Sequence, residues 1–360
     1  MVFLQIVEGF CIEPLIVLYS NALKTLQCKI NMKSFEKIND AYNSVFRPGK
    51  LSLGIFFAIE SYEGSIPEMK NQVELAQRAE ALGFSALWFR DVPMHDLSFG
   101  DAGQIFDPWV YLGYIAGQTK KISLVTGSII LPLRHPIHVA KAAASIDALT
   151  NGRLILGVAS GDRPLEYPAF KKEISQRAEL FRESFNYIRK LDNDFPVINS
   201  SLGELRGDLD LLPKPSGKKL PMLVTGHSGQ SLEWIAANSD GWIYYPRNVR
   251  VQEVITEQWR KILQVTNSDD KPFSQSFYID LVEDKDALPI PIHLGYRLGR
   301  NALLEILCEL QSIGVNHVVF NLKYGSRPAA EVLDEIGEYI LPHFLPQNSL
   351  SNSICHQYLA

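Results

Sequence analysis

The sequence predicts a (β/α)8 barrel, and three observations carry that reading. One join recurs four times, as EALGFSALWF, DALTNGRLILGV, ANSDGWIYY and QSIGVNHVVF: a helix end, a glycine, then an apolar strand. Residues 122–161 hold a strand, a helix and a second strand in so short a span that only a parallel crossover connects them. Apolar strands and helical stretches then alternate along the chain, eight of each, which is the count of a closed barrel.

The strands are expected at 51–57, 85–90, 122–131, 154–159, 222–225, 242–245, 276–282 and 315–321, each too uniformly apolar for a half-exposed strand. The helices are expected at 66–82, 109–118, 137–149, 177–190, 228–238, 252–265, 299–313 and 329–341. In the first, Met69, Val73, Ala76 and Ala79 share a face and Gly83 ends it. Pro132 and Pro136 stop the third strand, Ile137, Ala140, Ala144 and Ala148 fall at helical spacing, and Asn151-Gly152 supplies a left-handed cap. Residues 190–220, rich in Pro, Gly and Asp, read as an insertion with short strands of its own.

The barrel is therefore assigned to 51–346, behind an N-terminal extension of residues 1–50 and ahead of a polar, frayed tail at 347–360. Residues 1–31 are apolar but broken by Glu8 and Glu13, with no basic stretch before them, so they do not read as a signal peptide. They read either as a short amphipathic helix or, by preference, as an extension upstream of a true start at Met32.

Composition narrows the class. A hydrophobic content of 46% supports a large core, and a net charge of -5 argues against nucleic acid as a partner. No apolar run approaches the ~20 residues that span a bilayer, so no membrane partner is expected. Cys11, Cys28, Cys308 and Cys355 are scattered without metal-site or redox spacing and are expected to be reduced thiols in a cytoplasmic protein.

In parallel sheets, chemistry gathers where the strands end. Two such ends are Thr126-Gly127-Ser128, where small residues admit a flat ligand to the backbone, and Ser160-Gly161-Asp162-Arg163. A third is the loop after residue 225. Gly226 and Gly229 allow a tight turn, and a helix expected to start near Ser228 would turn its amides and the Ser228 and Ser231 hydroxyls onto one point. That is an anion site, with a plain serine N-cap as the bland alternative.

The same Gly226-His227-Ser228-Gly229-Gln230 approaches a hydrolase nucleophile elbow, with Asp240 or Asp280 and His293, His317 or His343 downstream, but Gln230 stands where glycine is wanted. His135 and His138 lack a third ligand, so no metal is expected. Arg134 and Arg177 can each offer a charge to an anionic ligand. Phe56, Tyr62, Trp88, Trp109 and Trp242 are candidate pocket aromatics, or plain core.

Thr126-Gly127-Ser128-Ile-Ile-Leu-Pro, Arg134-His135-Pro136, the run from Asp147 through Gly152-Arg153 to Gly157, and Gly226-His227-Ser228 with Asp240-Gly241 together resemble the bacterial luciferase-like flavin monooxygenases. The resemblance covers about residues 51–344. It implies a barrel holding FMN, or less often a deazaflavin, with a non-proline cis peptide at Gly127-Ser128. It also implies the flavin phosphate on His227, Ser228, Gly229 and Ser231, with Arg177 reaching it.

The implied reaction takes reduced FMN from a separate NAD(P)H-dependent flavin reductase and uses O2 to oxygenate a small organic substrate. Homodimers are common in that family. Two departures stand out. Asp91 occupies the place of the luciferases' catalytic histidine, and is carried here with Ser128 as a candidate catalytic residue. Ser160 stands where they have an arginine, which removes one anionic contact. A serine hydrolase using Ser228 and a flavin-binding barrel without turnover are the alternatives.

Overall fold

A computed structural model describes residues 34–345 of the chain. Eight parallel strands close on themselves: β1 (Ser52–Phe56), β2 (Ala86–Phe89), β3 (Ser123–Thr126) with its continuation β4 (Ile129–Ile130), β5 (Leu154–Ala159), β8 (Met222–Thr225), β9 (Gly241–Tyr244), β10 (Phe273–Leu281) and β13 (His317–Asn321). Closure follows because β10 pairs with both β9 and β13, and β13 with β1. Both strand faces are buried because alternate residues serve two cores. Leu53, Leu87, Leu124, Leu154 and Met222 face the helices. Phe56, Trp88, Val125, Ile155, Leu223, Ile243 and Val319 fill the barrel.

The helices are α1 (Asp40–Val45), α2 (Gln72–Leu82), α3 (Pro108–Gln118), α4 (Pro136–Leu149), the single turn α5 (Glu166–Ala169), α6 (Arg177–Leu191), α7 (Leu232–Asn238), α8 (Val249–Val265), α9 (Arg300–Ser312) and α10 (Ala329–Tyr339). Residues 34–46 form the barrel's floor: Phe35, Ile38, Tyr42, Val45 and Phe46 join the interior cluster. Asn39 locks this floor, capping α1 through Tyr42 N–H and donating to Asp147 at 2.9 Å and to the Leu154 carbonyl at 2.7 Å.

Four local expectations are corrected. The strand expected over 122–131 is interrupted. Val125 pairs with Ile155 and Ile129 with Val158, so four steps on one strand face three on the other. The extra residue is a bulge at 126–128, made possible because Gly157 has no side chain where the Thr126 carbonyl presses in. The first helix begins at Gln72, because Met69 and Asn71 adopt left-handed backbone that a helix does not accept. The helix expected from Ser228 begins at Leu232, since Ser228 is itself left-handed at φ 48°. Cys308, on α9, is disulfide-bonded rather than a reduced thiol.

The insertion carries an antiparallel pair, β6 (Val197–Ser200) with β7 (Gly203–Arg206), as its composition implied. A second hairpin was not foreseen. β11 (Ile290–Ile292) and β12 (Gly295–Leu298) extend the sheet where β12 pairs with the far half of β10. The readings of residues 1–31, of Met32 as the start, of the tail and of Cys11, Cys28 and Cys355 fall outside the described residues. No helix among the described residues is long and apolar enough to cross a membrane.

His317 sits deep in the barrel. Its Nε2 accepts from the Trp88 indole at 3.0 Å, which assigns the proton to Nδ1, 2.7 Å from the Ser52 hydroxyl. Burial lowers its pKa from 6.5 to about 3. A depressed folded-state pKa contributes stability that is full above pH 6.5 and drains away as pH falls towards 3, at roughly 1.4 kcal/mol per pH unit. Urea unfolding at pH 7 and pH 4 should show His317→Gln losing less stability than the native chain; equal losses would refute this role.

Candidate functional site

The strand ends surround a cavity of ≈ 760 Å³. Gly127, Ser128, Ser160, Arg177 and residues 226–229 all line it, so the structure brings these predicted residues to one rim. Ser128 and Ser228 belong to one hydrogen-bonded chain. The Ser128 and Thr225 hydroxyls bond each other, Ser228 Oγ donates to the Thr225 carbonyl at 2.8 Å, and it accepts from the Ser160 amide at 3.1 Å. Three strand ends, those of β3, β8 and β5, are tied together by small hydroxyls.

The peptide between Gly127 and Ser128 is cis, as the resemblance implied, and a second non-proline cis bond joins Phe57 to Ala58. A Cβ at Gly127 would lie 2.5 Å from the Trp88 ring and 3.1 Å from that of Phe56, so the site is flat and closely walled. Of the proposed pocket aromatics, Phe56 and Trp88 line the cavity. Trp242 stands behind it, donating to the Gly226 carbonyl at 2.7 Å, while Tyr62 binds Asp101 at 2.7 Å. Trp109 is packed against the outer core instead.

The loop after β8 has the form of an anion cradle. Gly226, Ser228 and Gly229 all have positive φ, which turns successive amides inward. The Gly226 and Gln230 amides have backbone partners, whereas those of His227, Ser228 and Gly229 donate to nothing among the described residues. Arg177, at the start of α6, stands beside them with only a 3.4 Å contact to the Ile174 carbonyl. Gln230 explains itself: its side chain bonds the Ala178 carbonyl and Arg182, both at 2.7 Å, fastening the loop to α6. Ser231 is the cap of α7, its hydroxyl accepting from Trp234 N–H, and it stands outside the residues that line the cavity. His227 is exposed, its ring against Trp242 and Tyr244.

Asp91 lines the cavity too, but its oxygens are occupied. Arg134 binds both, at 2.8 Å each, and the Ile130 amide binds one at 3.1 Å. The expected role as a base gives way to one of holding the β4 end against β2. Its side chain is wholly buried, and Asp91→Ala removes two hydrogen bonds from Arg134, which keeps Asp107 at 3.1 Å, and leaves the Ile130 amide without its partner, so it should cost about 2–3 kcal/mol in urea unfolding. A loss under about 1 kcal/mol, the level of an exposed pair, would contradict the assignment.

Among the described residues no histidine hydrogen-bonds Ser228, whose Oγ is taken by the Thr225 carbonyl and the Ser160 amide. Asp240 pairs with Arg189 and Lys219, Asp280 with Arg297, and His317 is committed to Trp88 and Ser52. His135 caps α4 and meets the Leu202 carbonyl at 2.9 Å. Among the described residues no group of three metal-ligating side chains occurs.

Sequence reasoning passed over Arg90, Asp101 and Tyr278, which line the other side of the cavity with Arg163, named there only as part of a strand end, and His293, weighed there only as a triad histidine. Arg90 and Arg163 follow strand ends and were visible as such. Tyr278 and His293 depend on the pairing of β10 with β12, which has no signal in periodicity.

A family model described as luciferase-like monooxygenase matches residues 51–278, more than half of the chain, and the protein belongs to that family. The 4-hydroxyprotoasukamycin monooxygenase of Streptomyces nodosus subsp. asukaensis is 30% identical over 151 residues, 41% of this chain and 39% of that one. The chain spans about half the length, or less, of the first curated relatives it matches. Two solved structures share the fold. The oxygenating constituent of 3,6-diketocamphane monooxygenase from Pseudomonas putida, in complex with FMN, has a TM-score of 0.65 at 14% identity, covering 83% of this chain and 100% of that one. The coenzyme F420-dependent tetrahydromethanopterin reductase of Methanopyrus kandleri has a TM-score of 0.64 at 16% identity, covering 82% and 100%.

Proposed function

We propose that this protein is the oxygenase of a two-component flavin system, taking reduced FMN from a separate NAD(P)H-dependent reductase. The observation that carries the reading is the three free amides of His227, Ser228 and Gly229 beside Arg177, opening into the same cavity as the flat Gly127-Ser128 wall. A dianionic phosphate suits the first and a planar ring the second. The family membership and the FMN complex of the Pseudomonas putida neighbour support the same cofactor. Coenzyme F420 is the less favoured alternative, drawn from the Methanopyrus kandleri neighbour.

Bound reduced FMN would supply the electrons with which O2 places one oxygen atom on an organic substrate and the other in water. The chain's own residues position and enclose. The loop amides and Arg177 hold the phosphate, Gly127 lets the ring approach the backbone, and Phe56 and Trp88 keep water from that face. Asp91 keeps the wall in place through Arg134. Because Asp91 is held by Arg134, a carrier that binds flavin without turnover is the second reading. A cytoplasmic location loses the support of reduced cysteines, given the disulfide at Cys308.

Rapid mixing of the anaerobic protein and reduced FMN with O2 tests the reading. Flavin reoxidation should slow roughly tenfold or more relative to free reduced FMN, because the cavity shields it from bulk water. Reoxidation at the free rate despite saturated binding would favour the carrier.

A further inference from the structure

The cavity has two walls of different chemistry. One is the small-residue and amide wall of β4, β5 and β8. The other, at the ends of β2, β10 and β13, is built from Arg90, Asp101, Tyr278 and His293, which neither the fold nor the cofactor reading uses. Here Arg90 binds Asp101 at 2.7 Å, and buried Lys323 approaches the same carboxylate at 3.6 Å. Neither cation has another carboxylate partner among the described residues, so two positive charges share one negative charge.

Asp101 is itself saturated. Tyr62 donates to it at 2.7 Å and the Gly103 amide at 2.9 Å, and the arginine beside it lowers its pKa to about 2 against the pull of burial. Its charge is thus spent inward. Arg163, about nine-tenths buried, adds to this wall an Nη1 with no partner, its other amino group bonding the Asp101 carbonyl at 2.6 Å.

Tyr278 gives the wall a direction. Its hydroxyl oxygen accepts from Arg90, and its own O–H donates to no group among the described residues while the residue lines the cavity. Burial raises its pKa, so the hydroxyl keeps its proton as a donor. His293 packs edge-on against its ring at 5.9 Å and Tyr324 packs tilted at 5.4 Å, which fixes its aim.

We propose that this wall is the substrate subsite, and that it takes an organic acid whose carboxylate is held by the Tyr278 hydroxyl and the unpartnered Arg163 Nη1, with Arg90 and Lys323 sharing Asp101 behind them. Buried donors with no partner of their own, beside two cations that share one carboxylate, favour an anionic oxygen over a neutral one, and reject a ligand that leaves them unpaired. Phe56, Phe99 and Tyr245, further along the cavity, suit an apolar or aromatic body. The inference rests on the flavin reading only in assigning the opposite wall to the cofactor.

The test is calorimetric titration of the full chain, with and without FMN, by benzoate and phenylacetate and by their amides, benzamide and phenylacetamide. Each acid should bind about tenfold or more tightly than its amide. Tyr278→Phe and Lys323→Met should each shrink that advantage to under about threefold while leaving FMN affinity unchanged. Equal binding of acids and amides, no binding of any of the four, or an advantage that survives both substitutions would overturn the subsite. Failure of FMN alone to bind would instead remove the cofactor reading, because acid preference is read separately on the flavin-free chain.

Discussion

Gly157→Ala should leave a chain that cannot close its barrel between β3 and β5. A Cβ at this position would stand 2.0 Å from the Thr126 carbonyl oxygen and 3.0 Å from Ile243. The first contact is backbone on backbone, so no rotamer change relieves it. The Thr126 hydroxyl also bonds the Gly157 carbonyl at 2.8 Å, pinning the two strands at the point of conflict. Either the bulge at 126–128 is lost, and with it the Gly127-Ser128 wall, or the strands part. The expected cost exceeds about 4 kcal/mol, in the range of severe overpacking. Gly117→Ala is the control. It lies in α3 with nothing within 4 Å of its Cβ, so alanine should stabilise by about 0.5–1 kcal/mol. Urea unfolding of both variants checks the pair, and a Gly157→Ala protein as stable as the native chain would show that the bulge does not need this space.

The second large effect is on the anion cradle. Gly229 has φ 71°, and a Cβ there would sit 2.4 Å from that of Ala178 at the start of α6. Gly229→Val therefore has to move the loop away from the helix, which separates the free amides from Arg177. FMN affinity should fall by about a hundredfold, the worth of two charge-assisted hydrogen bonds. Riboflavin, which has no phosphate, should bind native and variant alike. Fluorescence titration with both flavins distinguishes a local defect from misfolding, since a misfolded chain would lose both.

Much of this architecture was legible because it is written in local patterns. The repeated helix-glycine-strand joins give the barrel: Gly83 at φ 95°, Gly152 and Gly314 follow helix ends in a conformation that other residues rarely adopt, while Gly241 opens β9. The small residues Gly127, Ser128 and Gly226 marked the rim because ligand approach demands small side chains at strand ends. What stayed hidden depends on partners distant in sequence. Periodicity reads 122–131 as one strand because the reason for its break, Gly157, lies on the neighbouring strand. Asp91 looked available for proton transfer because its engagement by Arg134 arises only when the end of β2 meets the turn after β4. The later helix start, with Ser231 as its cap, follows from the left-handed backbone of Ser228. The wall of Arg90 and Tyr278 was invisible for the same reason, being assembled from residues 90, 101, 278 and 323.

The arrangement of a flat wall at Gly127-Ser128 and an anion cradle at 227–229 within one cavity is tested most directly by calorimetric titration of the purified chain with FMN, riboflavin and coenzyme F420. The expected result is one FMN per chain, with riboflavin bound about a hundredfold or more weakly because the cradle is left empty. Riboflavin binding as tightly as FMN, or no association of either FMN or F420 with the folded protein, would contradict it.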